Sequence, residues 1–370
     1  MENRLQIVSL DVPYPPDYGG VVDIFYTIKH LHDAGVKIIL HCFEYGRGKQ
    51  PELETLCERV YYYPRKKIFS FSIPYFVISR KNNLLRDRLR QHDIPVLLEG
   101  IHCSYHFFKD ELPGTTWIRM SNVEYEYYFE LFKNERNIFY KLYYLWESRL
   151  LKRYEQSVIQ KGKFLAVSHH DEKIYKSKGG QCSYLSLMIQ SAIINSKPGS
   201  GNYCLYHGNL SVPENEQVAI FLIQKIFSKL NISFIIAGRS PSKKLLKTGK
   251  KNSISIISDP DETEMNFLIS NAHIHILPSF NSTGTKIKII YALQFGRHVI
   301  TNKNAIQESG LDSLCHIYES DDQLIDLIQQ LMTLPLGDEE ISKRKKIFYE
   351  EFNPAKNTRH LMDILFNQPQ

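Results

Sequence analysis

Residues 281–290, NSTGTKIKII, set hydroxyls, a glycine and two lysines side by side, directly ahead of an apolar stretch with helical spacing. The opening turn of a helix carries partial positive charge from unpaired N–H groups, so each cation placed there is disfavoured by roughly 0.3–1 kcal/mol. A bound anion removes that conflict. Ser282 or Thr283 can cap the helix, and Gly284 lets the backbone approach a ligand closely. Together with Thr285, the free N–H groups and Lys286, they form a site suited to phosphate. Lys288 is expected on a different side of the helix, facing solvent. The plainer alternative is a helix start whose lysines simply point into water.

Other candidates follow apolar runs in the same way. His102 and Glu99 end the run DIPVLLEGIHC, and Gly19 and Gly20 precede an amphipathic stretch. Gly208 and Asn209 follow YCLYH, and Arg239 follows SFIIAG. A lone histidine is often structural, a glycine pair can be only a turn, and Glu99 could serve just to pair a basic neighbour. In SHHDEK, Ser168 three residues ahead of Asp171 suffices as a helix cap, without a catalytic role for His169 or His170. In DPDE, Asp259-Pro260 makes a turn and Asp261 caps the next helix, an explanation that competes with a metal-binding Asp-x-Asp pair. Asn122 and Glu124, in RMSNVEYEYY, are open to site or structural roles alike.

The elements that must carry these residues alternate. RLQIVSL is a buried strand; Val21, Ile24, Phe25, Ile28 and Leu31 then keep helical spacing until Gly35, and VKIILHCF is the next strand. Residues 121–161 form a long aromatic-rich helical stretch, and its stripe from Tyr125 to Tyr154 is expected to pack inside. NSKPGSGN (195–202) has linker composition, and beyond it strand and helix alternate again. The pattern implies an α/β chain with two Rossmann-like, doubly wound domains. The expected boundaries are 1–195 and 203–339, with a helix from about 340 to 370 packing back on the first domain. Two such domains facing one another hold ligands in a cleft at the carboxyl ends of their strands.

The 370 residues suit two domains, since single cores stop growing near about 250–300 residues. The net charge of +6 comes without a basic tail, which argues against nucleic acid as a partner. Six scattered cysteines without a CxxC pair fit reduced thiols rather than a disulfide framework or zinc site. No signal-like segment opens the chain and no apolar run approaches the roughly 20 residues of a membrane span. A cytoplasmic protein is expected, with peripheral membrane contact open through the basic, aromatic stretch 59–90.

PYPPDYGG before the first helix, LYHGNLSVPEN, FIIAGRSPS, and LPSFNSTGTKIKIIYALQFGRHVITN together resemble the GT-B glycosyltransferases, most closely the retaining enzymes of family 4. The resemblance implies a nucleotide-diphosphate sugar donor held by the second domain, a glycan or lipid-linked acceptor on the first, and no metal or other cofactor. It implies donor contacts from Gly19, Gly20, Gly208, Asn209, Arg239, Ser282, Thr283, Gly284, Thr285 and Lys286, with His102 and Lys286 nearest the chemistry. Two glutamates common in the family are replaced here by Thr283 and Tyr291, and Asn209 stands where an arginine is frequent. Those departures favour one alternative, a catalytically silent nucleotide- or sugar-binding partner of another transferase, and argue mildly against a second, a nucleotide-sugar epimerase.

Overall fold

The computed structural model describes residues 2–110, 112, 115–135, 137–280, 286–306 and 309–367. The chain divides into two compact units: residues 1–191 joined by 352–370, and residues 192–351.

The first unit is built on seven parallel strands: β1 (Arg4–Ser9), β2 (Lys37–Glu44), β3 (Arg59–Pro64), β4 (Val96–Glu99), β5 (Thr116–Met120), β6 (Lys163–Ala166) and β7 (Gln181–Tyr184). Their order is β3-β2-β1-β4-β5-β6-β7. Strands covered on both faces need apolar side chains throughout, and β1 accordingly buries Leu5, Ile7 and Val8 completely. The helix Gly19–Asp33 buries Val21, Ile24, Phe25, Ile28 and Leu31, and Gly35 follows it with φ of +85°. The stretch 121–161 is two helices, Glu124–Asn134 and Ile138–Ile159, not one. The Asn137 side chain accepts from the Phe139 and Tyr140 amides and so starts the second. The final helix, Pro354–Phe366, packs against Gly19–Asp33 within this unit.

The second unit carries six parallel strands: β8 (Cys204–His207), β9 (Phe234–Gly238), β10 (Ser255–Ser258), β11 (Ile274–Ile276), β12 (His298–Asn302) and β13 (His316–Tyr318). Their order is β10-β9-β8-β11-β12-β13. The stretch 195–202 belongs to this unit, where Gly199 and Leu336 exchange backbone hydrogen bonds of 3.0 Å. Arg344, 1% exposed, donates to the carbonyls of Leu293 and Gly296 and to Ser196 Oγ, tying helix Asp338–Glu351 to this stretch and to the end of helix Ile287–Phe295.

Each sheet therefore reverses direction once: between β1 and β4 in the first, and between β8 and β11 in the second. At such a point the two neighbouring loops leave in opposite directions and open a crevice beyond the strand ends. The loops after β1 and β4 carry Gly19, Gly20 and His102; those after β8 and β11 carry Gly208, Asn209 and the run up to Lys286.

Candidate functional site

In the second unit, β8 enters its loop through Gly208, whose amide donates to Ala237 O at 3.2 Å. The neighbouring loop, after β9, is bonded to it as well, because Leu210 N donates to Arg239 O at 2.9 Å. Gly238 makes that approach possible: a Cβ there would lie 1.8 Å from Gly208 O. Asn209 uses its side chain to shape the turn, its Oδ1 accepting from Ser211 N at 3.1 Å and Ser211 Oγ at 2.7 Å. The helix Pro213–Phe221 then begins with proline in its first turn and no side-chain cap. Glu214 turns across to the end of β11, its Oε1 accepting from Ser279 Oγ at 2.6 Å and Phe280 N at 3.0 Å.

Ser282, Thr283, Gly284 and Thr285 lie outside the described residues. Lys286 is half-buried at the N-cap of helix Ile287–Phe295, and among the described residues no side chain caps that start. Lys288 corrects the expectation of a solvent-facing side chain. Its Nζ donates to Asn215 Oδ1 at 3.2 Å and lies 5.0 Å from the centre of the Tyr206 ring. Burial, opposed by Glu214 and helped by nearby Lys286, lowers its pKa to about 8. Asn215 is the joint of the group: it also donates to Asn209 O at 2.8 Å and accepts from the Tyr206 hydroxyl. The signal was available in the sequence. IKIIYALQF is apolar on almost every side, and a helix of that kind is enclosed, so its one lysine is enclosed with it.

His207 completes the floor. It is 5% exposed, burial with His275 and Lys288 holds its pKa well below the ordinary value, and its Nε2 has no partner among the described residues. Arg239 extends from an exposed position on the adjoining loop. Asp261 caps helix Glu262–Asn271 by accepting from Glu264 N at 2.8 Å, and Asp259 accepts from Ser240 N at 2.8 Å. Among the described residues no group of three or more His, Cys, Asp and Glu is arranged to hold a metal ion.

The first unit's candidates sit around its own reversal point. Gly19 and Gly20 open helix Gly19–Asp33 behind Tyr18, which offers no side-chain cap and instead donates its hydroxyl to Asp11 Oδ2 at 2.9 Å. His102 packs on the Phe76 ring, 4.2 Å between centroids. Burial, Arg80 and Arg65 push its pKa far down, so it is a neutral imidazole, and its Nδ1 has no partner among the described residues. Gly100 allows this: its φ is +84°, and a Cβ would lie 2.8 Å from His102 Nδ1. Glu99 lies buried beside Arg119, which is held in a two-pronged pair by Asp23 at 2.8 Å on each prong. Glu124 is 4% exposed with its pKa raised to about 7 by burial, and Asn122 reaches it at 3.5 Å. Ser168 caps as expected, accepting from Asp171 N at 3.0 Å, and His169 stacks on Tyr184.

The stretch 59–90 is not one surface. It starts as strand β3, buries Ile73, Phe76, Val77, Leu85 and Leu89, and sets Arg80 inside on the carbonyls of Leu10 and Phe76. Its middle, 65–72, is largely open. The aromatic stripe of 125–154 also departs from the reading as packing: Phe139, Tyr140 and Trp146 are exposed. No helix among the described residues is long and apolar enough to cross a membrane.

Residues 201–333, which hold the whole second-unit group, match the family model described as "Glycosyl transferases group 1". The chain is 26% identical over 333 residues, 83% of its length and 84% of the relative's, to an uncharacterized 44.6 kDa protein in the cps region of Klebsiella pneumoniae. It is similar to a solved glycosyltransferase of Rickettsia africae, at 13% identity with a TM-score of 0.69 over 99% of this chain and 98% of that one. It is also similar to a S. aureus TarM variant solved with fondaparinux, α-GlcNAc-glycerol and UDP, at 11% identity, a TM-score of 0.70, and 99% and 100% coverage. At such identities the structures establish the fold: two parallel-sheet α/β units of the GT-B class.

Proposed function

We propose that this chain transfers a sugar from a nucleotide-diphosphate donor to a glycan or lipid-linked acceptor, with retention and without a metal. The observation that carries this reading is the pairing of Lys286 and Lys288 beside the reversal point of the second sheet, inside the segment that matches the transferase family. Breaking the bond between sugar and diphosphate builds negative charge on the leaving phosphate. Two ammonium groups beside a helix start stabilise that charge as it grows, and preorganised donors of this kind supply several kcal/mol. Lys288 favours such a ligand in a further way, since an anion restores the charge that burial weakens. The neutral His102 imidazole is suited to a hydrogen bond with a sugar hydroxyl. The cps-region relative and the UDP bound by TarM favour polysaccharide synthesis from a nucleotide sugar.

Tyr291, where the resemblance implies a glutamate, favours a second reading as a binder without turnover. Thermal unfolding with nucleoside diphosphates tests both, because a ligand selective for the native state raises its melting temperature. A rise of several degrees with at least one nucleotide is expected, and no rise with any would overturn the donor site. Release of labelled sugar from the matching nucleotide sugar then separates enzyme from binder.

A further inference from the structure

Over its first half, the helix Ile138–Ile159 is amphipathic in the reverse sense. Phe139, Leu142 and Trp146, three and four positions apart, share one face and are 80%, 57% and 43% exposed. Ile138 beside them is 60% exposed. Behind them Glu147 and Ser148 are buried, where a helix facing water alone would hold its apolar side. The loop 65–72 extends this face. Phe71 stands edge-on to Trp146 at 6.2 Å between ring centroids, and Phe69 stands edge-on to Phe71 at 5.0 Å. The result is one contiguous apolar surface, not a scatter of single residues, and such surfaces mark interaction sites.

The charges say what covers it. The loop 65–72 holds Arg65, Lys66 and Lys67 and no Asp or Glu. Lys66 and Lys67 are exposed immediately before Ile68 and Phe69, and Lys141 sits among the apolar positions of the helix. On the preceding helix, Glu130 is neutralised by Lys133 at 2.7 Å. Aromatic rings flanked by long cationic side chains match a headgroup boundary, with rings at the acyl level and ammonium groups among phosphates. A second copy would set these cations against one another, and an acidic protein would leave the rings without an apolar partner. We infer that this face seats the first unit on an anionic lipid surface, lying on the bilayer without crossing it.

Docking here is independent of sugar transfer, and the test uses the full chain. Sedimentation with liposomes of phosphatidylcholine alone, or mixed with phosphatidylglycerol, should show binding only to the anionic vesicles, weakening as salt rises. The double variant Phe71→Ser, Phe139→Ser should lower vesicle binding by roughly tenfold or more. Its melting temperature, and any rise produced by a nucleoside diphosphate, should stay at the wild-type value. Lys66→Glu with Lys67→Glu should remove the preference for anionic vesicles. Failure of the wild-type chain to bind anionic vesicles, or equal binding by the Phe71→Ser, Phe139→Ser chain, overturns the inference. So does ultracentrifugation showing a dimer that this double variant dissociates, since the face would then be an interface between copies.

Discussion

Lys288 Nζ lies 3.2 Å from Asn215 Oδ1, and this contact joins the helix after β11 to the helix after β8 across the reversal point of the second sheet. Asn215 in turn donates to Asn209 O, so a chain of two hydrogen bonds links the ammonium to the turn at Gly208-Asn209. Two lysines of the same motif therefore do different work. Lys286 stands at the mouth of the helix start, and Lys288 is both a charge and a part of the frame.

Lys286→Ala should weaken nucleoside diphosphate binding by about 10- to 100-fold, the loss of one or two charge-assisted hydrogen bonds at about 1.5–3 kcal/mol. Its effect on the melting temperature without ligand should be smaller than that of Lys288→Ala. Lys288→Ala should weaken binding comparably and also lower that melting temperature, because Asn215 loses its partner. Wild-type binding should decline as pH rises through about 8, where the free protein gives up the Lys288 proton. Titration calorimetry across pH 7–9 reads these effects. Unchanged diphosphate affinity in Lys288→Ala would refute its place in the site.

Gly238→Ala should damage both loops that flank this group. Its added carbon would meet Gly208 O at 1.8 Å, backbone against backbone, with no flexible side chain to give way. A cost of about 2 kcal/mol or more in urea unfolding is expected. Gly337→Ala, with nothing within 4 Å of the added carbon, is the matched control and should stay close to wild type.

How much of this was legible in the sequence depended on where the deciding contacts lie. Strands such as β1 and β9 announce themselves as short apolar runs bounded by turn residues, and caps such as Ser168 and Asp261 follow from local spacing. β3 was hidden: RVYYYP, followed at once by Arg65, Lys66 and Lys67, looks like part of a solvated charge run, yet Arg88 stacks on Tyr61 at 3.8 Å and Tyr63 is buried. Lys288 was misjudged although the all-round apolar IKIIYALQF announced its burial; only its particular partners, Tyr206 and Asn215, lie out of local reach, more than seventy residues earlier in the chain. The outward Phe139, Leu142 and Trp146 escaped for the opposite reason. Helical periodicity groups apolar residues on a face but does not say which side the rest of the unit occupies.

The second unit should be acid-labile. His275 and His298 are held by burial at pKa values of about 3 and 4, and His207 is also pushed well down. Unfolded histidine titrates near 6.5, so below that pH the unfolded chain binds more protons than the native unit. Stability is thus complete above about pH 6.5 and falls as pH drops towards 4. Hydrogen exchange of β8, β11 and β12 peptides should quicken progressively between pH 6.5 and 5, after correction for intrinsic rates. His298→Gln should make that dependence shallower. Protection independent of pH would contradict the assignment.

Glu99 predicts the opposite limb in the first unit. Burial, with Asp23 acting in the same direction against the opposing pull of Arg119, raises its pKa to about 8, and its Oε1 has no partner among the described residues. The native unit therefore binds this proton more tightly than the unfolded chain, where a glutamate titrates near 4.3. The sign reverses: stability from this group is full below the unfolded value and is lost as pH rises towards 8, where the buried carboxylate ionises. Glu99→Gln keeps the size and a neutral state at every pH. It should gain stability relative to wild type as pH rises from about 4.3 to 8, and the gain should level off above about 8. Urea unfolding followed by tryptophan fluorescence reads this unit, since Trp117 and Trp146 both belong to it. A stability difference that does not change with pH would show that Glu99 stays ionised against Arg119.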